Sequence, residues 1–246
     1  MKAEGFADLH QHVLWGVDDG PADVQQMRAL LRQDAQQGIS LVCATAHADP
    51  RNRPFDLARY RERLAEANAF CEASGLPLKV LPGSEIRWCD SVCDALDAGR
   101  LLTLGETRYV LIEFAPWAAL DEITGATDRL YRAGYAPVLA HVERYRALAR
   151  HPGRALNARD EYGLIFQVNC DTVLQPRGLW QRRFVNRLLQ ARAVDALATD
   201  AHDTVRRPAR MRKARQAVAE ICDESYAQTL TQFGWKITCQ ERKNAL

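Results

Sequence analysis

Gly5-Phe6-Ala7-Asp8-Leu9-His10-Gln11-His12 is a short apolar run that ends on two histidines spaced i, i+2. On a strand, side chains two apart point the same way, so His10 and His12 can face one metal ion. Alone, such a pair carries little weight. Along this chain, however, the pattern recurs: an apolar run that reads as a strand, then a histidine, a carboxylate or an amide. The runs are Gly5–Leu9, Ser40–Thr45, Leu78–Pro82, Tyr109–Phe114, Ala136–Ala140, Leu164–Val168 and Val194–Ala198. At or near their C-terminal ends stand His10, His47, Glu85, Glu113, His141, Asn169 and Asp200. Helical periodicity fills the intervals at Asp23–Gln37, Phe55–Ser74, Asp121–Ala133 and Leu179–Ala191, with Gly38, Gly75 and Gly134 as stop signals. Seven strand-helix units predict an α/β barrel or a barrel-like closed sheet, in which catalytic groups from the ends of different strands meet in one cup. No Ser- or Gly-rich linker interrupts the series, so a single domain over 1–246 is expected, with a polar, peripheral tail from about Gly234.

Composition narrows the function. The 33 Lys and Arg and 31 Asp and Glu leave a net charge of +2, too small to imply nucleic acid or a membrane surface as partner. Positive charge is locally dense at Arg51, Arg53, Arg59, Arg61 and Arg63, and again at Arg206, Arg207, Arg210 and Arg212. Such runs read as solvated faces or as anion sites. No apolar stretch approaches the ~20 residues of a membrane span. Met1-Lys2-Ala3-Glu4-Gly5 leads into a strand without the apolar core of a signal peptide. The seven cysteines include no CxxC pair, so reduced thiols in a cytoplasmic protein are expected.

Five of the six histidines fall in these strand-end motifs. Neutral imidazole is the commonest metal ligand, and carboxylates complete the shell of hard and borderline cations. Glu85 and Glu113 each follow or lie within apolar sequence, where the alternative is a buried ion pair with an arginine. Asp200 and His202 repeat the i, i+2 spacing. The candidate ligands are His10, His12, Asp18 or Asp19, His47, Glu85, Glu113, His141, Asp200 and His202. One ion takes about four to six ligands, so this set implies two or three divalent metals. Clustered divalent ions serve phosphoester hydrolysis.

These stretches resemble the PHP (polymerase and histidinol phosphatase) superfamily, and within it the bacterial metal-dependent protein-tyrosine phosphatases of capsule and exopolysaccharide operons. The matching segments are Asp8 to Gly20, Ala44-Thr45-Ala46-His47, Gly83-Ser84-Glu85-Ile86, Ile112-Glu113-Phe114, Ala140 to Tyr145, Gln167-Val168-Asn169 and Thr199-Asp200-Ala201-His202. The resemblance implies a distorted seven-stranded (β/α)7 barrel with up to three metals, manganese or iron before zinc or magnesium. It implies that His10, His12, Glu85 and Asp200 hold one, Glu85, Glu113 and His141 the second, and Asp19 or Asp18, His47 and His202 the third. The implied reaction is attack of a metal-bound hydroxide on phosphotyrosine of a protein, in particular a bacterial tyrosine kinase, with Glu113 and Asp200 among the catalytic groups. Two departures stand out: Ala48 follows His47 where many relatives carry a second histidine, and Trp15-Gly16 replaces Pro-Gly.

Arg144, three residues after His141, suits bidentate phosphate binding; its alternative is a surface ion pair with Glu143 or Glu161. Arg207 is a weaker candidate for the same role. Tyr145, Trp15, Phe114 and Trp117 are candidates to line the mouth around an aromatic substrate, the alternative being a place in the core. His151 reads as loop surface. Cysteine-based tyrosine phosphatases place an arginine six positions after the nucleophile, and no cysteine here has one; Cys170 is followed by Arg177, one position too far. A small-molecule phosphatase, such as one acting on histidinol phosphate, and a non-catalytic metal-stabilised module are the competing readings.

Overall fold

The computed structural model describes residues 5–52 and 55–244, with side chains as far as Thr238; Arg53, Met1 to Glu4 and the side chain of Cys239 lie outside the described residues. Seven parallel strands follow one another in chain order: β1 (Phe6–Gln11), β2 (Ile39–Ala48), β3 (Lys79–Arg87), β4 (Tyr109–Glu113), β5 (Ala136–Leu139), β6 (Ile165–Asn169) and β7 (Ala196–Ala198). The ring closes through a narrow seam. Asp200 N donates to His10 O (2.8 Å), His12 N donates to Ala201 O (2.9 Å), and Gln11 and Ala201 form a single parallel bridge. This is the expected distorted seven-stranded barrel.

All seven strands lie where the apolar runs place them, but the first three run on past those runs. The ladder between β2 and β3 continues through His47↔Glu85 and Ala48↔Ile86, so these two ligands sit inside strands rather than after them. Pro82, read as a strand end, is internal to β3. It breaks no ladder with β4, which joins β3 only from Glu85 onward.

The helices that accompany the strands are α1 (Val24–Gln37), α2 (Leu57–Ala73), α3 (Val92–Asp97), α4 (Leu120–Arg132), α5 (Arg146–Ala149), α6 (Pro152–Tyr162), α7 (Cys170–Leu174), α8 (Gly178–Gln190), α9 (Met211–Ile221) and α10 (Glu224–Asn244). Asp23 caps α1 by accepting from Gln25 N and Gln26 N (both 2.9 Å). Gly38, at φ 85°, ends it in the left-handed conformation. His151 is exposed and lies in the loop just before α6, as expected.

A second apolar cluster joins Ala7, Leu9, Leu41, Leu81, Leu111 and Val138, one set of strand faces, to Trp235 and Ile237 of α10. The expected peripheral tail therefore fails for residues 234–238. Trp235, Ile237 and Thr238 are buried, and Gly234 sits so close to β1 that a Cβ there would lie 2.7 Å from Ala7 Cβ. Polar composition misled, because a helix that plugs one end of a small barrel needs only a few apolar side chains.

Strand phase matters for the site. Ala7 and Leu9 belong to this interior cluster, so strict alternation would turn His10 and His12 away from it. A register slip in β1 between Asp8 and Gln11 re-aims them inward. At the end of β5, His141 makes the same turn by taking φ 34° directly after interior Ala140.

Candidate metal centre

Three of the candidate ligand rings at the barrel rim, those of His10, His12 and His202, are held by Nδ1 and leave Nε2 facing the cluster. His10 Nδ1 lies 3.0 Å from Gln167 Oε1, which leaves Nε2 facing Glu85 Oε2 (3.3 Å) and Asp200 Oδ1 (3.5 Å). His12 Nδ1 lies 2.6 Å from Asp18 Oδ2, and its Nε2 faces the same two carboxylates at 3.3 and 3.6 Å. Such partners fix the tautomer and aim the free lone pair. Glu85 is the hub: Oε1 is 2.8 Å from His141 Nε2 and Oε2 is 3.0 Å from His47 Nδ1. Asp19 lies 3.4 Å from His47 Nε2 and 3.3 Å from His202 Nε2.

The donor atoms fall into overlapping groups within 4.8 Å of one another: His12, Asp19, His47 and His202; His10, His141 and Asp200; His10, His12 and Glu85; His47, Glu85 and Glu113. Glu85 Oε2, His141 Nδ1 and His202 Nε2 are buried without a hydrogen-bond partner. Five imidazoles crowd together, with ring centroids of His12 and His202 3.9 Å apart. Orphaned lone pairs on nitrogen and carboxylate oxygen, with no sulfur among them, fit borderline divalent cations.

The electrostatics agree. Burial works against protonating His12, yet Asp18 and Glu85 overcome it and raise the ring to about 10. His47 rises to about 11, burial again being outweighed by Asp19 and Glu85. Burial opposes ionisation of Glu85 and Asp200, but the histidines around both, joined at Asp200 by Arg144, hold them below the usual carboxylate range. The carboxylates of the cup attract positive charge, which suits divalent ions in place of protons.

The structure separates residues that the sequence left together. Asp19 faces the donor cluster, whereas Asp18 is turned inward to His12 and also accepts from Gly20 N and His47 N (both 3.0 Å). Asp18 is thus placed to position His12, and Asp19 is the one of the pair grouped with the candidate donors. Glu113 is shared: Oε2 pairs with Arg87 Nη1 at 3.0 Å, the ion pair weighed from sequence, while Oε1 is 3.7 Å from His141 Nε2. Arg144 pairs with neither Glu143 nor Glu161; its Nη2 donates to Asp200 Oδ2 at 2.6 Å. Arg207 Nη2 donates to the other oxygen of Asp200 at 2.7 Å, so it stands as near the centre as Arg144.

Tyr145 is the correction. It is fully buried, with its hydroxyl accepting from Phe114 N at 3.2 Å and its ring edge-on to Phe114, itself buried. Neither reaches the mouth. Gln167 was missed: Oε1 also accepts from His141 N (2.8 Å), and Nε2 donates to Asn169 Oδ1 (2.7 Å), which ties β5, β6 and His10 together. A glutamine within an apolar strand, two residues before Asn169, was the available signal.

A parallel barrel with His, Asp and Glu donors gathered at the C-terminal rim defines a metal-binding hydrolase-type fold. The chain belongs to the CpsB/CapC family of capsular polysaccharide synthesis, whose model matches residues 6–234. It is 32% identical over 200 residues to the tyrosine-protein phosphatase YwqE of Bacillus subtilis, covering 80% of this chain and 77% of that one. It is 27% identical over 218 residues to the tyrosine-protein phosphatase CpsB of Streptococcus pneumoniae, covering 87% and 89%. Crystal structures of YwqE and CpsB, described as unique metal-dependent tyrosine phosphatases, include a chain matched with TM-score 0.87 at 28% identity over 95% of this chain and 94% of that one. A β-aspartyl dipeptidase from Fervidobacterium islandicum, with TM-score 0.58 and 12% identity, shares the fold alone.

Proposed function

We propose that this protein hydrolyses phosphotyrosine on a protein substrate, with a capsule- or exopolysaccharide-associated tyrosine autokinase as the favoured target. The observation that carries the reading is the meeting of Arg144 and Arg207 on Asp200, at the edge of the donor cluster. Two planar guanidiniums beside a cation site form a receptor for a phosphate dianion. The donor set suits two or three divalent ions, with manganese or iron favoured by its imidazoles. His10, His12, Glu85 and Asp200 would hold one, Glu85, Glu113 and His141 a second, and Asp19, His47 and His202 a third. Bound there, such ions supply positive charge to the phosphoryl oxygens and lower the pKa of the attacking water.

The chain's own groups do the rest. Arg144 and Arg207 orient the phosphate and neutralise charge on its outer oxygens. Asp200 accepts from both guanidiniums and holds them in place. A phenolate leaves readily at a pKa near ~10, so no strong general acid is required. Cys43 and Cys170 are buried and burial pushes both thiols up, the opposite of a nucleophile. The six cysteines among the described residues are unpaired, which supports a reducing, cytoplasmic setting.

The test is metal analysis of the purified protein together with turnover of phosphotyrosine peptides and histidinol phosphate, before and after chelation. Activity on the peptides that is lost on chelation and restored by Mn²⁺ better than Mg²⁺ is expected. Full activity in protein proved free of metal sinks the mechanism, and a preference for histidinol phosphate moves the enzyme to small molecules.

A further inference from the structure

The phosphatase reading leaves two arginines unused. A cleft of about 590 Å³ opens beside Asp200, and Arg144, Arg177, Arg206 and Arg207 line it together with Asp171. Both of its carboxylates are answered. Asp200 takes Arg144 and Arg207, and Asp171 lies 3.5 Å from Arg210. Arg177 and Arg206 are exposed, and among the described residues their guanidinium groups have no carboxylate partner. Their backbones are nevertheless fixed. Arg177 N donates to Gln181 Oε1 (2.6 Å) at the start of α8, and Arg206 N donates to Asp203 Oδ1 (2.5 Å) in the turn after β7. The cleft therefore carries surplus positive charge, and it adjoins Arg144 and Arg207.

We propose that this cleft binds acidic residues flanking the phosphotyrosine of the same protein substrate, with Arg177 and Arg206 determining that preference. The inference rests on the phosphatase reading above. A phosphotyrosine held by Arg144 and Arg207 brings its chain neighbours along, and the cleft is the charged recess beside that position. Guanidinium forks match carboxylates in shape, and a recess with low-dielectric walls concentrates their field. Nucleic acid fits less well, since no aromatic side chain lines the cleft for base stacking.

The experiment compares kcat/KM for three substrates: p-nitrophenyl phosphate, a phosphotyrosine peptide flanked by Glu, and the same peptide flanked by Gln. The intact enzyme should prefer the acidic peptide by about tenfold at low salt, through KM, and lose most of that preference at high salt. Arg177→Ala with Arg206→Ala should abolish the preference and leave p-nitrophenyl phosphate turnover unchanged. Replacing both by Lys should restore it in part. An intact enzyme that treats the two peptides alike, or an Ala pair that keeps the preference, overturns the inference while the phosphatase reading stands. Failure to hydrolyse any of the three substrates with metal bound overturns both.

Discussion

Asp18 turns its carboxylate to His12 Nδ1, while Asp19 beside it reaches His47 and His202. Losing the Asp18 charge should loosen the metal without deleting a ligand. Asp18→Asn is expected to weaken divalent-ion affinity by about 10- to 100-fold, the usual effect of removing a carboxylate behind a ligating histidine. A metal titration followed by calorimetry checks this, and unchanged affinity would mean that His12 needs no such support. Arg144 separates from the ligands in the opposite sense. Arg144→Ala should keep its metals, lose about 2–4 kcal/mol of transition-state stabilisation, and show weaker inhibition by inorganic phosphate. Normal turnover with normal phosphate inhibition would reduce Arg144 to a counter-ion for Asp200. Most of the donor cluster was legible in the sequence because these residues stand at or a few positions beyond the ends of apolar runs. It could not rank Asp18 against Asp19, since adjacent residues in a turn point in directions that only the turn decides. Nor could it see Tyr145 folding under Phe114, because burial of an aromatic depends on what arrives from another strand.

Among the elements, α1 and α10 carry what periodicity concealed. Asp34 lies on the buried face of α1 with Met27, Leu30 and Leu31, and accepts from Gln11 Nε2 at 2.8 Å. Its Oδ2 and Gln11 Oε1 are two buried acceptors without a donor, which a neutral carboxyl supplies with one. Burial pushes Asp34 well above the usual carboxylate range, opposed by the Gln11 hydrogen bond and assisted by Asp8. With its folded pKa raised, its contribution to stability is fully present below the unfolded value and is lost as pH rises through the folded one. Asp34→Asn should therefore be less stabilising in urea melts at pH 5 than at pH 8.5. Equal effects at both pH values would mean that Asp34 is ionised throughout. On α10, a methyl at Gly234 would meet Ala7 Cβ at 2.7 Å and Leu9 Cδ2 at 2.9 Å. Gly234→Ala should cost about 1–3 kcal/mol by overpacking and lower Tm by several degrees. An unchanged melt would show that α10 can slide outward. The seven strands and four of the long helices were legible from alternating apolar runs. The plug was not, because its apolar side chains are few and its burial depends on the barrel they enter.

At the scale of the whole molecule, the ring has one weak seam. β1 and β7 meet through two backbone hydrogen bonds and a single bridge, whereas the other neighbours form ladders. His10 and His12 stand on one side of that seam, Asp200 and His202 on the other. Ions bound between them would bind the folded ring and not the open chain, so they add to its stability. Chelation should speed amide exchange at His12 and Asp200 far more than in the β2–β3 ladder. Uniform change across the sheet, or none, would show the seam to be independent of metal. The placement also has a meaning for how the protein is made. His10 and His12 are synthesised well before Asp200 and His202, so an ion can be captured between the two pairs only after the strands that separate them in sequence have been made. Loading of the proposed centre would thus report a closed ring, and a chain cut short before Asp200 would have no means of passing for one.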